Sequence, residues 1–262
     1  MEFIGNLYLQ IYVNTNRKSL AQIKAETGCK AIINGGLFDM STFQPNCHLK
    51  VNGNVLVSDP YTYWGYGWNN GEQPTLVNNY SNLDNYICCV CMVRNGQREQ
   101  MYYNNAVGGS RPRTAIGLFP DGRIWMYANA TSKTPEQLQD LAISKGLQSA
   151  IMLDGGSSTQ CIFPHGYIQS SRRVHNCILA FDELPSRPIC PYTEPNYYIQ
   201  YGSSGEGAKW VQWHLNQFGY NLEVDGIFGN LSTNALRNFQ STHGLGVDGI
   251  CGALTRAELK NY

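Results

Sequence analysis

Asp154-Gly155-Gly156-Ser157-Ser158-Thr159, at the end of the apolar run Ile151-Met152-Leu153, brings together residue types that can do chemistry. A carboxylate at the mouth of a buried strand can serve as acid, base or nucleophile. The two glycines let the backbone turn and let a ligand approach main-chain N–H groups, and the hydroxyls add donors suited to an anionic or sugar substrate. A second turn of the same kind, Asn34-Gly35-Gly36-Leu37-Phe38-Asp39, follows another short apolar run. Two such turns on neighbouring strands would line one pocket, with Asp154 and Asp39 as its carboxylates. Unrelated Asp-Gly turns between strands are the alternative.

The elements around these turns read as mixed α and β. Leu7 to Val13 alternates like a strand, and Asn16 to Glu26 has helical spacing that stops at Gly28. Lys30 to Ile33 reads as a strand, and Leu49 to Tyr103 as strands broken by the hairpin signals Asn52-Gly53 and Asn95-Gly96. Trp64 to Trp68, between them, suits either a core strand or an aromatic wall of the site. Arg113 to Phe119 and Arg123 to Ala130 form a hairpin through Asp121-Gly122. Thr134-Pro135-Glu136-Gln137 is a helix start, with a hydroxyl cap and a glutamine three residues on, and the helix should end at Gly146. Cys161 to Ile168 is a hairpin and Val174 to Phe181 a closing strand. The prolines between Glu183 and Gly202 mark a linker, stiff at first and then flexible. Beyond it, Val224-Asp-Gly-Ile-Phe-Gly229 and Val247-Asp-Gly-Ile-Cys-Gly252 repeat one turn among three helical stretches.

Composition excludes several partners. Basic and acidic residues number 19 each, so no net field favours nucleic acid or an anionic membrane. No segment approaches the roughly 20 apolar residues of a membrane span, and the start lacks the pattern of a signal peptide. The nine cysteines are irregularly spaced and are expected to be mainly reduced, small apolar residues. Cys88-Cys89-x-Cys91 lacks a second pair at matching spacing, so neither metal nor cofactor is expected. The five histidines show no zinc-peptidase spacing and no Cys-His pair stands out, which argues against an amidase or peptidase.

Asn34-Gly-Gly-Leu-Phe-Asp39, Pro112-Arg-Thr-Ala-Ile-Gly117, the helix from Thr134, Leu153-Asp-Gly-Gly-Ser-Ser158 and Arg172-x-Val-x-Asn176 occur in one order. In this the chain resembles the phosphodiester glycosidase family over residues 1–182. Two positions depart from the family pattern: Leu37, where an aromatic is usual, and Ser171-Arg172-Arg173, where Glu-Arg-Pro is usual. The repeated Asp-Gly-Ile-x-Gly turns resemble the type 1 peptidoglycan-binding domain. Together the resemblances imply an α+β fold: a mixed-sheet catalytic domain over 1–182, a linker over 183–202 and a small three-helix module over 203–262.

A sugar-1-phosphodiester departs as phosphate, so its leaving oxygen needs charge stabilisation more than a proton. Arg113 and Arg172 stand at family-matching positions for that task. Asp154 or Asp39 would activate water or stabilise an oxocarbenium-like centre. Asn34, Gly35, Gly36, Thr114, Gly155, Gly156, Ser157, Ser158 and Asn176 would bind and orient the substrate. An ordinary glycosidic bond would normally require both carboxylates. The expected protein is a monomeric wall-targeted glycosidase that binds bacterial peptidoglycan or wall glycan. It would resemble a phage endolysin, made in the cytoplasm and acting at the wall after release. A non-catalytic peptidoglycan-binding protein is the alternative.

Overall fold

The computed structural model describes residues 1–58, 63–105, 107–184 and 190–261. In chain order the first part forms β1 (Glu2–Gly5), β2 (Tyr8–Val13), α1 (Leu20–Thr27), β3 (Ala31–Asn34), β4 (Leu49–Val51), β5 (Asn54–Val57), β6 (Gly65–Trp68), β7 (Thr75–Val77), β8 (Asn85–Cys88), β9 (Val90–Arg94) and β10 (Gln97–Arg98). It continues through β11 (Arg111–Leu118), β12 (Ile124–Lys133), α2 (Pro135–Ser144), β13 (Ser149–Met152), β14 (Cys161–Phe163), β15 (Gly166–Ile168) and β16 (Asn176–Phe181). The strands build three sheets, ordered β1-β12-β11-β13-β9-β10, β15-β14-β3-β16-β2 and β5-β4-β8-β6-β7. The fold is α+β.

Local chemistry sets the boundaries. α1 starts at Leu20 rather than near Asn16, because Ser19 and Gln22 close a capping box there, and it ends on left-handed Gly28. Thr134 and Gln137 form the same box ahead of α2, with Pro135 in the first turn. Asn52 and Gly53, and again Asn95 and Gly96, take positive φ as the tight turns between β4 and β5 and between β9 and β10 require.

β13 and β3 carry the two glycine-rich turns, and both strands are buried throughout. β13 lies between β11 and β9, pairing Met152 with Ala115 on one side and with Val90 on the other. β3 lies between β14 and β16. One core packs α2 on the first sheet through Leu138 and Ala142, beside Trp125 and Met152. Another packs α1 through Leu20 and Ile23 against Ile32, Cys177 and Leu179. Buried on both faces, the two strands are rigid mounts for the polar turns at their ends. The Trp64 to Trp68 segment divides its side chains: Tyr66 and Trp68 are buried core, with the Tyr66 hydroxyl on Ser149 Oγ at 2.8 Å, while Trp64 is half-buried.

The chain clusters into two compact units, residues 1–50 with 55–185, and residues 51–54 with 186–262. The second holds α3 (Glu206–Gln217), α4 (Asn230–Thr242) and α5 (Ala253–Leu259). The stretch expected as linker is in part a component of this unit. Ile199 is fully buried and exchanges backbone hydrogen bonds with Cys251, and Cys190 and Tyr192 pack against the same core. Apolar side chains drove that packing, and the proline count did not reveal it. Pro185 and Pro188 lie outside the described residues.

The repeated turns are structural. Gln212 donates to Asp225 Oδ1 at 2.8 Å and to the Ile227 carbonyl, and accepts from Gly226 N at 2.9 Å. Gln240 does the same for Asp248 Oδ1, the Ile250 carbonyl and Gly249 N, at 2.8, 3.0 and 2.8 Å. Each buried amide thus satisfies a complete turn, and the glycines sit at φ 77° and 75°, where a side chain would be strained.

Candidate functional site

The main chain of Asp154 is fixed from three sides. Its N–H donates to the Gly35 carbonyl at 3.1 Å, which joins the two glycine-rich turns directly. Its carbonyl accepts from Asn34 Nδ2 at 2.8 Å and from the Thr114 hydroxyl at 2.6 Å. Asn34, fully buried, also donates to Thr114 Oγ1 and accepts from Gln160 N at 3.1 Å. One amide therefore ties β3, β11 and both ends of the 154–160 loop together. Thr114 and Asn34 spend their polar groups on protein atoms, so they position Asp154 rather than touch substrate.

Gly35 is required by close approach. A Cβ there would lie 1.9 Å from Asn176 Oδ1, the atom that accepts from Gly36 N at 2.8 Å. Asn176 is thus a buried brace for the first turn. Gly155 is similarly confined, with the Pro112 carbonyl 2.8 Å from where its Cβ would stand, and Gly156 has φ 59°.

The Asp154 carboxyl itself remains available. Burial pushes it up to about 6, against partial compensation from the Ser158 hydroxyl, the Gly155 N–H and the charge of Arg172. Arg172 is half-buried and its Nη1 reaches Ser158 Oγ at 3.4 Å. Ser170 secures that arginine's loop, donating to the Ser157 carbonyl at 2.5 Å and accepting from Arg172 N at 3.0 Å. Asp154, Ser158 and Arg172 form a connected polar row: a carboxyl raised by burial to about 6, a hydroxyl and a guanidinium. Such a row can activate water at one end and stabilise a departing anion at the other. Ser157, exposed at the turn, stands beside it.

Two expected site residues have other tasks. Arg113 is 1% exposed, and its guanidinium donates to the carbonyls of Lys133 at 3.0 Å, Val107 at 2.7 Å and Gly109. Its Nη1 also lies 3.5 Å from Met152 Sδ and runs behind Gly155. With those donors engaged on the protein, Arg113 corrects from a phosphate ligand to a brace for the 107–109 loop. Asp39 closes its own turn, with Oδ1 accepting from Ser41 N at 2.7 Å, Ser41 Oγ at 2.5 Å and Thr42 N at 2.8 Å. The Ser41 hydroxyl and those N–H groups hold its carboxyl down to about 2, which makes it an ionised cap for its turn rather than an acid partner for Asp154.

Other residues join the site without a local signal in the sequence. Cys47 makes thiol contacts with Cys88 and Cys89, which pull its pKa down and so favour its thiolate, and both Cys47 and Cys89 are close enough to feel Asp154 or be felt by it. Arg111 passes the outer side of Gly156. The cysteine contact spans about 40 residues of sequence, so local spacing shows only half of it. All nine cysteines are free thiols, five buried and four half-buried. Among the described residues no group of three His, Cys, Asp or Glu side chains is arranged to hold a metal ion.

Comparison with known proteins gives two family matches: Phosphodiester glycosidase over residues 27–181, and Putative peptidoglycan binding domain over residues 204–259. The spore cortex-lytic enzyme of Bacillus cereus is 48% identical over 65 residues, which is 24% of this chain and 25% of that protein. The spore cortex-lytic enzyme of Halalkalibacterium halodurans is 38% identical over 81 residues, 30% of this chain and 24% of that protein. The chain thus spans about a quarter of the length of these curated relatives. Among solved structures, the catalytic domain of zebrafish N-acetylglucosamine-1-phosphodiester alpha-N-acetylglucosaminidase, auto-inhibited by its pro-peptide, superimposes with TM-score 0.53 at 15% identity, covering 68% of this chain and 73% of that one. A hypothetical protein from Synechocystis gives TM-score 0.55 at 13% identity, covering 67% and 56%. At these identities the two structures share the fold.

Proposed function

Because the chain belongs to the phosphodiester glycosidase family, we propose that it is a hydrolase of bacterial wall glycan whose C-terminal peptidoglycan-binding domain holds it on the wall. The bond cleaved is a sugar-1-phosphodiester, as in the linkage of phosphate-bearing polymers to the wall. One observation carries this choice: the polar row holds a single titratable carboxyl, Asp154, beside a guanidinium, Arg172. An ordinary glycoside has a poor leaving group and normally needs a second carboxyl to protonate it, whereas Asp39 is committed to its turn. A phosphate leaving group needs only its charge neutralised, which Arg172 supplies. Ionised Asp154 would then activate water or stabilise the oxocarbenium-like centre, with Ser158 aligning both groups.

A soluble N-acetylglucosamine-1-phosphodiester tests the reading. Release of free N-acetylglucosamine supports it; turnover of aryl glycosides but not of the phosphodiester contradicts it. The nine free thiols suit synthesis in a reducing compartment, so we further propose an endolysin-like life, with the protein made in the cytoplasm and reaching the wall on release. Its appearance in the medium without a pore-forming partner would contradict that.

A further inference from the structure

Beside the Asp154 row lies a cleft of 440 Å³ to which the proposed reaction assigns no task. Tyr63, Trp64 and Tyr102 line it with Cys89, and Glu99 and Gln100 line it as polar groups. The Tyr63 main chain and the Trp64 ring are held in place. The Tyr63 carbonyl accepts from the Tyr86 hydroxyl at 2.7 Å, and the Arg94 guanidinium sits 4.9 Å over the Trp64 ring, itself paired with Glu99 at 2.5 Å. Tyr102 is 76% exposed, a large ring in water with nothing in its own packing to require it.

The cleft adjoins the chemistry. Val90 and Cys91, which also line it, pair with Met152 and Ile151 on β13. Asp154 follows two residues later, roughly 7 Å along the strand direction at about 3.3 Å per residue, close to the length of one sugar ring. Cys89 closes the gap, since it lines the cleft and also feels the Asp154 charge.

We infer that this cleft is a carbohydrate subsite, taking an uncharged pyranose of the glycan on the glycosyl side of the scissile bond. The inference rests on the proposed glycosidase reading of Asp154 and adds a direction to it. Aromatic faces pack on the C–H faces of a pyranose, and a carboxylate and an amide accept and donate to its hydroxyls. The described residues that line the cleft include no cation, and the guanidinium at its wall, Arg94, is already paired with Glu99, so the cleft suits a neutral ring and not phosphate. Arg172 offers the cationic group on the polar row. The substrate is thereby oriented, with sugar in the aromatic cleft, anomeric carbon at Asp154 and phosphate at Arg172.

The test uses the full chain carrying Asp154→Asn, so that binding is read without turnover. Chitotetraose, the tetramer of N-acetylglucosamine, is titrated into this protein and into versions that also carry Trp64→Ala, Trp64→Phe or Tyr102→Ala. Inorganic phosphate is titrated in parallel. The expected result is a Kd for chitotetraose raised about tenfold by Trp64→Ala and by Tyr102→Ala, less by Trp64→Phe, with phosphate affinity unchanged. Tyr102 is exposed, so its variant stays folded even if Trp64→Ala does not. Unchanged chitotetraose affinity in folded Tyr102→Ala and Trp64→Phe overturns the subsite, as does failure of the parent to bind the sugar. Neither result touches the role of Asp154 in hydrolysis, which is read separately from turnover by the wild-type chain. Loss of phosphate binding on Tyr102→Ala would reverse the orientation and overturn the inference equally.

Discussion

Replacing Asp154 with Asn should make the protein more stable at neutral pH while removing its activity. Burial raises this carboxyl from 3.8 to about 6, so between those values the folded state binds a proton that the unfolded chain has released. Stability therefore falls as pH rises from about 4 to about 6, and the full cost persists above that range. At about 1.4 kcal/mol per pH unit the cost approaches 3 kcal/mol; partial exposure and solvent screening leave about 1–3 kcal/mol. Asn carries no charge, keeps an oxygen for the Ser158 hydroxyl and Gly155 N–H, and avoids the cost. Its melting temperature at pH 8 should exceed that of wild type by roughly 2–10 °C for a unit of this size, and the gap should close by pH 4. Turnover should fall by about a thousandfold. Melts of both proteins across pH 4 to 8 are the assay. A gap independent of pH, or an Asn variant less stable at pH 8, would refute the argument from burial.

The same carboxyl predicts a pH profile: if Asp154 works ionised, kcat/KM should fall tenfold per pH unit below about 6, and a profile flat down to pH 4.5 would assign the base elsewhere. The two arginines should separate. Arg172→Lys should lower kcat/KM about 10- to 100-fold with little change in melting temperature, whereas Arg113→Lys, cutting buried bonds to three carbonyls, should cost about 2–4 kcal/mol of stability. Equal effects in the two assays would undo that division. A fragment from Cys190 should sediment with cell walls and be about 2–4 kcal/mol more stable than one from Gly202, which lacks the buried Ile199; equal stability would show that the 190–201 stretch is dispensable.

Much of this scaffold is legible in the chain because it is written locally. Ser19 with Gln22, Thr134 with Gln137, and the Asn-Gly pairs at 52 and 95 each carry the groups that end or begin an element, and the structure places the boundaries there. The convergence of the two glycine-rich turns is also readable as motif, and the Asp154 N–H to Gly35 carbonyl bond realises it. What spacing does not carry is the direction of a side chain after the backbone is placed. Arg113 and Arg172 look alike in sequence, yet one turns inward to three carbonyls and the other lies half-buried beside Ser158. Asp39 looks like Asp154 until Ser41 and Thr42 close on it. Cys47 and Cys89 meet only through tertiary packing. The Asp-Gly-Ile repeats are visible, but the glutamines that hold them, Gln212 and Gln240, stand outside the repeated motif.

The most direct measurement is the product released from purified bacterial walls by the wild-type chain and by Asp154→Asn. The account predicts sugar reducing ends appearing together with phosphate-bearing fragments, no new free amines, and neither product with Asp154→Asn. Free amines without reducing ends, or equal release by the two proteins, would contradict it.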